Sequence, residues 1–119
     1  MVSMKEKELI VFDLDGTLNE SKVPMDKEMG NLLANLLQKK KIAVISGKGF
    51  KLFQDQFLIN SNCPNNLLKN LFLFPTCSTS FFVFKNNWEA VYKEVLTKEQ
   101  KEKIFSAFEK AFIDLNYKH

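Results

Sequence analysis

Leu9-Ile10-Val11-Phe12-Asp13-Leu14-Asp15-Gly16-Thr17-Leu18 is the stretch whose reading decides the fold. Leu9 to Phe12 form a short apolar run that stops at a polar turn, the pattern of a buried strand, predicted over residues 8–13. Asp13 and Asp15 follow, two apart, at its end. Residues at that spacing on an extended chain point to the same side, so both carboxylates can face one crevice while Leu14 anchors the backbone inward. One alternative makes Asp15-Gly16 a tight turn joining Val11-Phe12 to Thr17-Leu18 as a hairpin. The returning side, Leu18-Asn19-Glu20-Ser21-Lys22, is too polar for a buried strand. A second alternative leaves the two acids as solvated loop residues.

Outward from this point, Met25, Met29, Leu32, Leu33, Leu36 and Leu37 share one helical face after Pro24. Asp26 and Glu28 near the start of that helix, and Lys39, Lys40 and Lys41 at its end, suit the helix dipole. Ile42 to Ile45 form a second buried strand ending at Ser46-Gly47-Lys48-Gly49, and Phe50, Phe53, Phe57 and Leu58 mark another helix. Strand, helix, strand, helix in this order implies right-handed crossovers and a parallel sheet covered on both faces. Ligands of such sheets bind at the carboxyl ends of the strands.

Residues 60–66 are turn chemistry, and Leu71 to Phe74 read as a third strand stopped by Pro75. Phe81 to Phe84 and Trp88 to Val91, separated by Lys85-Asn86-Asn87, then predict an antiparallel hairpin. Thr97 with Gln100 is a capping-box signature, opening a closing helix with Ile104, Phe105, Phe108, Ala111, Phe112 and Leu115 on its apolar face. The fold class is α/β, with a soft boundary near residue 84.

The 119 residues carry 17 basic and 14 acidic side chains, every basic one a Lys, for a net charge of +3. That mild surplus does not point to nucleic acid. Apolar runs fall far short of the roughly 20 residues that cross a bilayer, so no membrane span is expected. The amino terminus alternates charges instead of carrying a signal peptide's apolar stretch, and a cytoplasmic location is expected. Cys63 and Cys77, with one His at the end of the chain, assemble no zinc site and read as reduced thiols.

Two adjacent acids repel, and a hard divalent cation such as Mg²⁺ relieves that repulsion and also binds a phosphate. One carboxylate can then act as a nucleophile while the other moves protons. Asp13-Leu14-Asp15-Gly16-Thr17-Leu18 after a hydrophobic strand resembles the first motif of the haloacid dehalogenase superfamily. The resemblance implies that Asp13 attacks the phosphoryl group and forms an aspartyl phosphate. It makes Asp15 the residue that protonates the leaving group and then activates water, with Mg²⁺ bound at Asp13 and Asp15.

Ile42 to Lys48 is similar to the family's second motif, which implies that Ser46, with Gly47 and Lys48 beside it, holds the phosphoryl group; Thr17 contributes similarly. A hydroxyl and backbone N–H groups at a strand-to-helix turn suit an anion. A Walker-type loop is the rival, but the Gly five residues before the Gly47-Lys48 pair is lacking.

The second motif follows Asp13 by 33 residues, too few for an intervening cap. This resembles the late-cap subclass of phosphomannomutases and Cof-like sugar phosphatases. It implies a Rossmann-like core over 1–84 and the start of an α+β cap over 85–119. The implied activity is Mg²⁺-dependent phosphohydrolysis of a small phosphorylated metabolite, a sugar phosphate, with phosphomannomutase-type phosphosugar transfer as the alternative. The family's later Lys and acidic pair are not recognised before His119, and Asp114 reads as a solvated helix residue, so the resemblance covers the family's amino-terminal half.

Three rivals belong to other classes. A receiver domain needs an Asp after the third strand, where Phe74-Pro75-Thr76-Cys77-Ser78-Thr79 has none. A single-stranded nucleic-acid binder would stack bases on Phe72, Phe74, Phe81, Phe82, Phe84 and Trp88, but dense Phe in strands more often builds core. A non-catalytic core would bury exposed sheet edges against a partner or a second copy, as a homodimer.

Overall fold

The computed structural model describes residues 7–116. Five strands form one sheet in the order β1 (Leu9–Asp13), β2 (Lys41–Ile45), β3 (Leu71–Phe74), β4 (Ser80–Phe84) and β5 (Trp88–Lys93). β1, β2 and β3 run parallel, with Asp13 opposite Ile45 and Ile45 opposite Phe74; β4 and β5 are antiparallel. The sheet is therefore α/β and mostly parallel over its first three strands, and the predicted hairpin extends it across residue 84.

Helix α1 (Lys27–Leu37) links β1 to β2. Asp26 caps it, its Oδ1 accepting the Met29 N–H at 2.8 Å, so the predicted start at Pro24 moves inward by one turn. α2 (Phe50–Gln56), a short 3-10 turn and α3 (Asn65–Leu68) link β2 to β3. Leu33 and Leu37 of α1, Phe53 of α2, Phe57 and Leu68 pack with Ile42, Val44, Leu71 and Leu73 in one buried cluster. Parallel partners share a face, so these four strand residues all belong to the same side of the sheet.

The predicted cover on both faces is corrected here. Among the described residues the packed cluster lies on one face, and Leu9, Ala43, Phe72, Phe74 and Phe81, with Glu8 and Lys41, line a shallow groove on the other. The strands read as continuous apolar runs because both of their faces are apolar, whichever of them a helix covers.

Helix α4 (Lys98–Asp114) carries the capping box anticipated from Thr97 and Gln100, both reciprocal hydrogen bonds being present. It contains no buried residue, so it does not close the core as its apolar face suggested.

Candidate active site

The site is built where β1 and β2 end. After Asp13 the chain turns sharply: the N–H groups of Thr17, Leu18 and Asn19 all converge on the Leu14 carbonyl, and the Gly16 N–H donates to Asn19 O at 2.7 Å. Gly16 sits at φ 77°, a left-handed conformation that favours glycine. Leu14 is fully buried and Leu18 nearly so, which pins the turn to the core as anticipated and leaves the two acids outside it. The hairpin alternative is not what forms, since Thr17 and Leu18 continue the turn.

The structure brings the expected residues together in two linked groups. Thr17 Oγ1 makes a long contact of 3.5 Å to Asp13 Oδ2. Lys48 Nζ lies 2.8 Å from Asp15 Oδ1 as an ion pair. That oxygen is buried and takes part in no directed hydrogen bond. Ser46 is buried, and its Oγ accepts the Lys48 N–H at 3.2 Å, which fixes the loop after β2; the Lys48–Asp15 ion pair ties that loop to the one after β1. Gly47 is exposed and closes against the third strand's loop, a Cβ there coming to 3.5 Å from Cys77 Sγ.

Three contributors were not anticipated. Gln56, at the end of α2, accepts from Lys48 Nζ through its Oε1. The turn Pro75–Ser78 braces the Ser46 loop, with Thr76 N–H on Lys48 O at 2.8 Å and Cys77 N–H on Ser46 O at 3.0 Å. Thr76, Cys77 and Ser78 all have positive φ, 50°, 55° and 66°. Non-glycine residues pay strain there, and no Gly or Asn marks the turn in the sequence. Asn19 is the third, its side-chain N–H donating to Val23 O at 2.7 Å and holding the chain that leaves the first turn.

The donor set fits a hard divalent cation in part. Asp13 and Asp15 supply two carboxylates, the second already paired with the Lys48 ammonium. Mg²⁺ is commonly held by one or two carboxylates plus waters and substrate phosphate. Among the described residues no group of three or more His, Cys, Asp or Glu converges. No described helix is long and apolar enough to cross a membrane.

No family model matches the chain. A phosphomannomutase of Encephalitozoon cuniculi is 37% identical over 51 residues, which cover 43% of this chain and 20% of that protein. Among solved structures, a haloacid dehalogenase-like hydrolase from Bacteroides thetaiotaomicron superposes with a TM-score of 0.67 at 24% identity, over 85% of this chain and 36% of that one. A Plasmodium falciparum IMP-nucleotidase gives 0.65 at 19% identity, over 92% and 32%. A haloacid dehalogenase-like hydrolase from B. subtilis gives 0.62 at 21%, over 87% and 34%. The chain thus has the fold of these hydrolases and spans about a third of their length.

Proposed function

We propose that this chain, folded like the haloacid dehalogenase-like hydrolases, supplies the nucleophile side of a Mg²⁺-dependent phosphohydrolase acting on a small phosphorylated metabolite, a sugar phosphate. The single observation that carries the reading is the convergence of Asp13, Asp15, Thr17, Ser46 and Lys48 at the carboxyl ends of two adjacent parallel strands. That is where ligands of open α/β sheets bind.

In this reading an Asp13 carboxylate oxygen attacks phosphorus as the bond to the leaving oxygen breaks, forming an aspartyl phosphate. Asp15 gives its proton to the leaving oxygen. It then takes a proton from water, whose oxygen attacks phosphorus, frees inorganic phosphate and restores Asp13. Ser46, which already accepts from the Lys48 N–H, has its own O–H to donate to a phosphoryl oxygen. Thr17 and Gly47 add a hydroxyl and an N–H from the neighbouring turns, and Lys48 adds charge. A Mg²⁺ ion at Asp13 and Asp15 would screen charge on the phosphoryl oxygens.

Asp13→Asn in the full-length protein is expected to lower phosphate release from sugar phosphates by about 10³-fold or more, with an unchanged far-UV spectrum. Activity within a few-fold of wild type rejects the reading. The likeness to a phosphomannomutase supports a second reading, phosphoryl transfer back to a sugar rather than to water. A requirement for a sugar bisphosphate activator separates the two.

A further inference from the structure

The turn that braces the Ser46 loop is itself strained. Thr76, Cys77 and Ser78 hold φ values of 50°, 55° and 66° in succession. Left-handed backbone is costly for any residue with a Cβ, and three in a row persist only where surrounding bonds hold them. Those bonds come from two sides. Toward the site, the Thr76 N–H donates to Lys48 O at 2.8 Å and the Cys77 N–H to Ser46 O at 3.0 Å. Away from it, the Tyr92 hydroxyl on β5 donates to Ser78 O at 2.9 Å, and the Glu94 N–H donates to Thr79 O at 2.8 Å. The Tyr92 hydroxyl is aimed by a ladder of rings. Its ring lies edge-on to Phe81 of β4 at 5.9 Å, and Phe81 stacks at 4.4 Å on Phe74, the last residue of β3 before the turn.

We propose that Tyr92 is a positioning residue for the phosphoryl-binding loop: its hydroxyl holds the left-handed turn at Ser78, and through Thr76 and Cys77 that turn holds Ser46 and Lys48 in place. The inference rests on the reading of Ser46 to Lys48 as the segment that receives the phosphoryl group. The turn is a brace with two settings. With the hydroxyl bonded, the Thr76 and Cys77 N–H groups meet the carbonyls of Lys48 and Ser46; when the turn relaxes toward right-handed backbone, they turn away. Phosphate affinity then scales with the fraction of molecules whose brace is set.

The test is Tyr92→Phe in the full-length protein. It removes the hydroxyl, keeps the ring against Phe81, and opens no cavity because Tyr92 lies at the surface. Amide hydrogen exchange at Thr76 and Cys77 is expected to quicken about fivefold, the size of one ordinary hydrogen bond, while the Leu71 to Phe74 amides are unchanged. In a titration with inorganic phosphate, followed at the Gly47 and Lys48 amide resonances, the midpoint is expected to weaken by about the same factor. Adding Ser78→Gly supplies a residue that accepts left-handed backbone unaided, so the double variant should regain the wild-type exchange rates and midpoint. A Tyr92 that merely supported the hairpin would not be rescued at Ser78. Unchanged exchange at Thr76 and Cys77, an unchanged phosphate midpoint, or no recovery in the double variant overturns the proposal alone. A wild-type protein that leaves inorganic phosphate unbound overturns the reading of Ser46, and the proposal with it.

Discussion

The chain has two unlike ends. From β1 to β3 the helices α1 to α3 press onto one sheet face, and Leu14, Met25, Leu37, Val44, Phe53 and Phe57 are fully buried. Beyond β4, α4 carries Phe105 at 65% and Phe108 at 57% exposure and buries none of its residues. The whole extends 56 × 34 × 27 Å with a radius of gyration of 18.3 Å, against about 13 to 14 Å for a compact domain of this size. The contrast teaches that an amphipathic pattern specifies a helix and its apolar stripe, not the surface that the stripe will meet. Every expected catalytic group lies in the packed region, where strand ends are held to fixed register.

Truncations break this comparison most sharply. Phe53→Ala, in the buried cluster and edge-on to Phe57 at 6.3 Å, should cost about 3 to 5 kcal/mol in a denaturant melt. Phe108→Ala, on exposed α4, should cost under about 0.5 kcal/mol. Equal losses would show that α4 is part of the same cooperative unit.

Gly30 is the next lever. It is buried on α1, and a Cβ there would run into the Asn60 backbone carbonyl. Backbone cannot step aside as a side chain can, so Gly30→Ala is expected to lose about 3 kcal/mol. A neutral result would mean that α1 and the 3-10 turn can separate freely.

Loss of a cap sharpens the contrast at smaller scale. Asp26→Ala removes the acceptor for the Met29 N–H and should lower global stability by about 1 kcal/mol. Thr97→Ala removes the equivalent bond on α4. Its effect should appear as faster amide exchange within α4 alone, leaving the global midpoint in place.

The smallest effect is chemical. Burial pushes the Cys63 thiol above its ordinary range. The thiolate is the reactive form, so a raised value leaves less of it at neutral pH, and the fraction grows as pH rises. Exposed Cys77 should therefore be alkylated first at neutral pH, with Cys63 catching up at higher pH or on unfolding; mass-mapped labelling reads the order.

β1, α1, β2 and the two strand-end turns were legible because their apolar spacing and polar stops are local signals. Asp13, Asp15 and Ser46 could be placed at strand ends on that basis alone. The Lys48 to Asp15 pair was not legible, since it joins residues 33 apart that meet only once β1 and β2 are in register. Gln56 carried no signal either, lying two helical turns from Lys48 among other polar residues. The Thr76 to Ser78 turn escaped because its left-handed backbone is imposed by the loops that it braces, not by Gly or Asn. The uncovered sheet face escaped for a related reason: Val11, Phe72 and Phe74 are apolar whether or not anything packs on them.

The central claim is that Asp13 becomes covalently phosphorylated, and rapid acid quench of the full-length protein during turnover of a sugar phosphate tests it most directly. The account predicts a peptide spanning Leu9 to Lys22 that carries the mass of one phosphoryl group, located on Asp13 and lost in Asp13→Asn. A phosphoryl group on another residue, or sustained turnover without any phosphorylated peptide, would contradict it.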